Sequence, residues 1–190
     1  EAGSFTVTNL AAGVGVTLVN DKEDATNAAQ ISNINVVTLG LADATGTDDN
    51  ITVTLQGTSA QTAAENTVLD LVVTNTETLS LVSSHSGTVA LTATDDNTIS
   101  DISSDTTLTK IVITGSDQAD ITLGGEMTNL ATVDGSEATD SLTIDTSGLI
   151  SNTAYSTGTG DDVFTVGTRL SEGDSFDGGA HGALTTVAIY

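Results

Sequence analysis

The chain has 190 residues and sets 26 acidic side chains against three basic ones, Lys22, Lys110 and Arg169, for a formal charge of −23. A field of that sign repels nucleic acid and anionic lipid, whose binding needs clustered Lys and Arg, so polyanionic partners are excluded. Cysteine is absent, which removes disulfide staples, thiol nucleophiles and Cys-ligated zinc, and no apolar run approaches the roughly 18 residues that would insert into a membrane.

Two Tyr, three Phe and no Trp leave Val, Leu, Ile and Ala to make the core, which must then be thin and regular. With 36 threonines the chain is rich in β-branched residues, which fit a pleated surface better than a helix. An acidic surface of this density suits high salt, which screens it, or millimolar calcium, which binds to it.

Phe5-Thr6-Val7-Thr8 and Val14 to Val19 alternate with period two across a Gly-containing turn and predict two strands. Asp21-Lys22-Glu23-Asp24 and the residues to Gln30 predict a short helical turn. Ile31 to Leu41 is the next strand region, and Thr47-Asp48-Asp49-Asn50 leads into Ile51 to Leu55. Small residues from Thr58 to Asn66 predict a loop insertion, so residues 1–66 read as N-terminal strands continuous with a solenoid over 67–190.

Val68 to Thr74, Thr78 to Val82 and Thr88 to Thr94 each alternate. The tetrapeptide Thr94-Asp95-Asp96-Asn97 then repeats the earlier Thr-Asp-Asp-Asn 47 residues on and enters Thr98-Ile99-Ser100. Leu108 to Thr114 opens the most regular part of the chain. Here Gly115 to Asp120, Gly135 to Asp140 and Thr157 to Asp162 read as turns that run into Ile121-Thr122-Leu123, Leu142-Thr143-Ile144 and Phe164-Thr165-Val166. Met127 to Val133 and Leu149 to Tyr155 are expected strands between them. Gly173 to Gly179 reads as a further Gly and Asp turn, and Leu184 to Tyr190 as a last strand.

Asp120, Asp140 and Asp162 are spaced 20 and 22 residues apart, close to one turn of a β-solenoid, in which each repeat buries its apolar face only by stacking on its neighbours. The expected fold is an all-β, right-handed parallel β-solenoid, a β-roll-like stack of short strands with Gly and Asp turns. On that reading the three aspartates form a column along one edge, and a divalent cation would relieve its self-repulsion.

Thr157 to Thr165 carries the sharpest motif, with Gly158, Gly160, Asp162 and Phe164 in the places that the calcium nonapeptide Gly-Gly-x-Gly-x-Asp-x-apolar-x assigns to them and Thr157 in place of its first glycine. Glycines let backbone carbonyls converge, and the aspartate adds charge and a hard oxygen. Asp177-Gly178-Gly179 begins a second copy that fails at Ala183-Leu184. The candidate calcium ligands are therefore Asp162, Gly160, Gly158 and Asp161, with Asp117, Asp120, Glu137, Asp140 and Asp177 in related turns and the pairs Asp48-Asp49 and Asp95-Asp96 at strand entrances.

Catalytic residues are not expected. Lys110 and Arg169 are too isolated to stabilise a carbanion, His85 and His181 read as surface residues, and there is no G-x-S-x-G elbow.

The repeat style resembles that of RTX-type calcium-dependent surface-layer (S-layer) proteins of Gram-negative bacteria. The likeness rests on Val73 to Leu81, Met127 to Ser136, Gly158 to Phe164 and Gly173 to Ala180, and runs from about Ile31 onward. It implies a secreted, extracellular, calcium-binding solenoid that self-associates into a lattice on the cell surface, with cell-surface polysaccharide as a further partner and no enzyme activity. The chain would then be an internal or near C-terminal segment of a longer protein. The competing expectation is an adhesin or biofilm-matrix segment that binds glycans.

Overall fold

Segments that alternate apolar and polar residues are one-sided, and one-sided strands must pair and then bury that side against a second layer. The computed structural model describes residues 3–19, 33–43, 45–58, 66–86, 97–168, 170–179 and 186–189. These form fifteen strands and no helix: β1 (Gly3–Leu10), β2 (Val14–Val19), β3 (Asn33–Leu41), β4 (Asn50–Thr58), β5 (Asn66–Thr74), β6 (Thr78–Ser86), β7 (Asn97–Ser104), β8 (Lys110–Gly115), β9 (Ala119–Leu123), β10 (Thr132–Ala138), β11 (Leu142–Asp145), β12 (Ala154–Thr157), β13 (Val163–Val166), β14 (Ser175–Asp177) and β15 (Thr186–Ile189).

The odd-numbered strands build one eight-stranded sheet in the order β1-β3-β5-β7-β9-β11-β13-β15, and the even-numbered strands build a seven-stranded sheet in the order β14-β12-β10-β8-β6-β4-β2. Every pairing is parallel. Each coil thus gives one strand to each sheet, and the expected all-β stack of coils is the observed fold.

The core is a set of columns. In the odd sheet Ile34, Val68, Ile99, Ile121, Ile144 and Phe164 stand in register on successive strands, and in the even sheet so do Ile51, Leu79, Ile111, Val133, Tyr155 and Phe176. Apart from Ile34 and Phe176, which are partly buried and pack against them, these residues are buried. Each buried aliphatic side chain contributes about 1.5–3 kcal/mol, so the stack is held by many equal increments. At the C-terminal end the columns become aromatic: Tyr155 stacks on Phe176 with centroids 4.9 Å apart, and Phe164 meets Phe176 edge-on at 5.2 Å.

The register also measures the coils. Steps from strand to strand range from 28 residues (Asn50 to Thr78) to 37 (Val14 to Ile51) in the first half of the chain. From Asn97 and Lys110 onward they range from 20 (Thr143 to Val163) to 23 (Val163 to Thr186). The two sheets run without a break through both parts. Most of the extra length lies in residues 20–32, 59–65 and 87–96, which always follow an even strand. The helical turn over 21–30, the insertion over 59–65 and the strand over 88–94 fall outside the described residues.

Three expectations change. Met127 to Ala131 is an irregular connection, and the strand there is β10, which runs through Gly135-Ser136-Glu137. Leu149 to Thr153 is likewise a connection, with β12 starting at Ala154. The Gly173 to Gly179 turn contains the short strand β14.

Candidate functional site

Thr157 closes β12 and Asp162 precedes β13, so the motif is the corner that carries the chain from the even to the odd sheet. The corner is laid directly on the one beneath it. Thr159 donates its N–H to the Ala138 carbonyl at 3.0 Å and its hydroxyl to the Thr139 carbonyl at 3.1 Å, while the Asp161 N–H donates to Ser141 Oγ at 3.1 Å. Such contact leaves no space for side chains. A Cβ on Gly158 would stand 2.0 Å from the Ala138 oxygen, and Gly160, at φ +124°, would bring one within 2.7 Å of the Ser141 nitrogen. The two motif glycines are required by the stacking itself.

Asp162 occupies the first inward position of the odd sheet, over Leu142 and Ala119, and is 0% exposed. Its Oδ1 accepts the Leu142 N–H at 2.9 Å. Its Oδ2 is buried with no hydrogen-bond partner, and so is the hydroxyl of Thr157, 1% exposed and in the same corner. Buried polar atoms are otherwise almost always satisfied, so two orphaned oxygens in one corner ask for an occupant. The next coil lies close above: a Cβ on Gly179 would be 2.1 Å from the Thr157 carbonyl oxygen and 2.5 Å from that of Gly158.

In kind the two oxygens are those a hard cation takes, since Asp162 offers a charged oxygen and Thr157 a neutral one where the nonapeptide would have glycine. Asp162 and Thr157 are the residues that would hold it. The burial of the Thr157 hydroxyl was not legible in the sequence, because a threonine among 36 carries no mark of burial.

The other candidates are spread out. Asp120 lies outward on β9 opposite Thr143, Asp140 accepts the Ser141 N–H in the turn below, and Asp162 faces the core. The expected column of three aspartates is therefore absent, because the coil steps there are 23 and 20 residues against aspartate spacings of 20 and 22. A shift of one residue turns a side chain to the other face.

Asp161 and Glu137 are exposed, and Asp177, also exposed, accepts the Gly179 N–H at 3.0 Å. Asp48 and Asp49 sit at the opposite corner, between β3 and β4, where the Asp49 N–H donates to Glu77 Oε2 at 2.9 Å. Asp95 and Asp96 fall outside the described residues. The repeated tetrapeptide thus ends in Asn50 on the even sheet and Asn97 on the odd one. Among the described residues no three acid or histidine side chains converge.

Asp117, 2% exposed, shows how such a corner looks when satisfied by protein alone. Its Oδ2 accepts Asn97 Nδ2 at 3.2 Å, its Oδ1 accepts the Gln118 N–H at 3.1 Å, and Asn97 also donates to Ser83 Oγ at 2.9 Å.

No protein-family model, curated protein or solved structure matches the chain. The function must therefore be argued from its own residues.

Electrostatics divides the remaining acids. Hydrogen bonding from the Ser136 hydroxyl, followed by contact with Lys110, holds Asp134 down to about 2; the Lys110–Asp134 pair is 3.1 Å apart and part-buried. Burial raises Asp101, with Asp70 and Glu126 adding to it, and burial followed by repulsion from Asp145 raises Asp120. A raised folded-state value means that the stabilising contribution is complete below the ordinary 3.8 and is lost as pH climbs through the raised value.

Asp120→Asn is accordingly expected to stabilise the fold at pH ~7 by about 0.5 kcal/mol, the scale of a like-charge cross-strand pair, and to lose that advantage below pH ~3.8. Urea midpoints of both proteins at the two pH values test this; an equal gain at both would mean that charge is not the cause.

Proposed function

We propose that this chain is a structural module of an extracellular bacterial array, a calcium-binding β-solenoid whose work is to be rigid and to self-associate. The supporting observation is the corner at Thr157 to Asp162, where a fully buried carboxylate oxygen and a fully buried hydroxyl lack partners within the protein. The resemblance to S-layer proteins supports the same reading, and the −23 charge makes divalent cations the natural counter-ions.

Calcium bound at this corner would supply charge neutralisation and oxygen coordination. The chain's own part is to hold Asp162 over Leu142 and to exclude water by laying each corner on the next. Since the metal would bind the folded state and not the open chain, it would stabilise the fold by mass action.

Thermal melts in millimolar calcium and in excess chelator test the reading. At a calcium concentration of about 100 times Kd the fold gains about 2.7 kcal/mol, or roughly 5–10 °C in a domain of this size. Equal midpoints in calcium, magnesium and chelator would sink it.

A further inference from the structure

The two orphaned oxygens of the Thr157 to Asp162 corner, Asp162 Oδ2 and Thr157 Oγ1, belong to residues that are 0% and 1% exposed. An atom that water does not touch is equally out of reach of a hydrated ion. The corner must open before it fills or empties.

It is closed from both sides. Beneath it Thr159 and Asp161 donate to the Ala138 carbonyl and to Ser141 Oγ, and Asp162 Oδ1 takes the Leu142 N–H. Above it Thr186 donates its N–H to the Asp162 carbonyl at 2.9 Å, β15 pairs with β13 from Thr186 opposite Val163 onward, and β14 pairs with β12 over three residues. The closest approach is at Gly179, φ +63°, where a Cβ would stand 2.1 Å from the Thr157 carbonyl oxygen and 2.5 Å from that of Gly158. There the coils touch backbone to backbone.

We infer that the corner is a kinetic trap, in which access to Asp162 and Thr157 waits on the parting of the coils that enclose them. The trap rests on the calcium reading and sets how that same site fills and empties. Parting of coils is a local unfolding, and this gives release three signatures. Its rate is the opening rate, so it does not depend on how much chelator waits outside. It climbs with temperature as unfolding does, and it rises with urea because opening exposes surface. A module loaded in this way stays rigid through a brief loss of calcium.

Stopped-flow mixing of the calcium-loaded chain with a fluorescent calcium chelator tests it. The expected result is a slow phase whose rate is constant over an about tenfold range of chelator and rises about 3–6-fold per 10 °C. Its logarithm should grow linearly with urea below the unfolding midpoint. Calcium held on exposed carboxylates leaves earlier, in a phase of its own.

Asp162→Asn should remove the slow phase. Gly179→Ala, which wedges a methyl group between the two backbones, should speed it at least about tenfold. Gly15→Ala, with no atom within 4 Å of its added Cβ, should leave it unchanged. If Gly179→Ala does not fold, the chelator and urea dependence of the parent decides alone.

Release that quickens in proportion to chelator and ignores urea, or a slow phase that a folded Gly179→Ala protein leaves at the parent's rate, overturns the trap and leaves the calcium reading standing. A chain that binds no calcium in calorimetry overturns both.

Discussion

Gly115→Ala is expected to lower the stability of the fold by about 3 kcal/mol or more, the sum of a strained backbone and at least one broken hydrogen bond. Gly115 ends β8 at φ +122°, and a Cβ built there would stand 1.8 Å from the carbonyl oxygen of Ser83 on the neighbouring strand. That carbonyl cannot swing aside, because it accepts the Ser116 N–H at 3.1 Å. Gly115 itself holds the coil above through its own carbonyl, which accepts the Thr139 N–H at 2.9 Å.

A forced displacement there would also disturb Ser83 Oγ, which accepts from Asn97 and donates to the Gln118 carbonyl. The satisfied polar corner around Asp117 would open to water. At ~2–4 °C per kcal/mol for a chain of this size, the melting point should fall by roughly 6–12 °C. Gly15→Ala is the control, since no atom lies within 4 Å of a Cβ at that position. A Gly115→Ala protein that melts with the Gly15→Ala control would show that the two coils do not approach so closely.

Asp162→Asn should separate the structural role of this side chain from its role toward a cation. Asparagine keeps an acceptor for the Leu142 N–H, which Asp162 receives at 2.9 Å, and removes the charge on a fully buried group whose second oxygen has no partner. In chelator the variant is expected to melt at or above the parent, because an uncompensated buried charge costs more than a neutral amide.

In calcium the order should reverse: the parent gains its roughly 5–10 °C and the variant gains little of it. Calcium binding measured by calorimetry should weaken in step, by at least about tenfold, since the buried carboxylate of the corner has lost its charge. An Asp162→Asn protein that keeps the parent's full calcium response would move the ion to another place. A variant that melts far below the parent in chelator would mean that the carboxylate is satisfied by protein groups alone.

The parts of this architecture that were readable in the residues are those set by local chemistry. Alternation over Ile51 to Leu55, Ile111 to Ile113 and Ile121 to Leu123 marks strands because the pleat sends neighbouring side chains to opposite faces, whereas in Val68 to Val73 the expected inward Leu69 is exposed and Val68 is buried in its place. The turn around Gly158 and Gly160 was readable for a similar reason, since only glycine fits where one corner rests on another.

Gly135-Ser136-Glu137 misled because its composition is that of a turn. Its place in β10 comes from pairing with strands one coil away, Gly135 with Thr157 and Glu137 with Thr114, and a Cβ on Gly135 would be 2.6 Å from Leu142 Cδ1, so the glycine also makes room for that leucine within the core. The exchange between the two positions is invisible until the coils are closed.

The residues alone determined that this chain would be a stack of one-sided β-strands repeating at about the length of one coil, because a chain of alternating Val, Ile, Leu and Thr with almost no aromatic bulk can bury itself only by pairing with copies of the same pattern. Which carboxylates meet, and which face the core, was decided only by the tertiary structure. Coil lengths that vary between 20 and 23 residues in the second half of the chain slip evenly spaced aspartates out of register. That slippage leaves Asp120 part-buried on the outward face and Asp140 in a turn, and it sends Asp162 inward to a place where its Oδ2 has no hydrogen-bond partner.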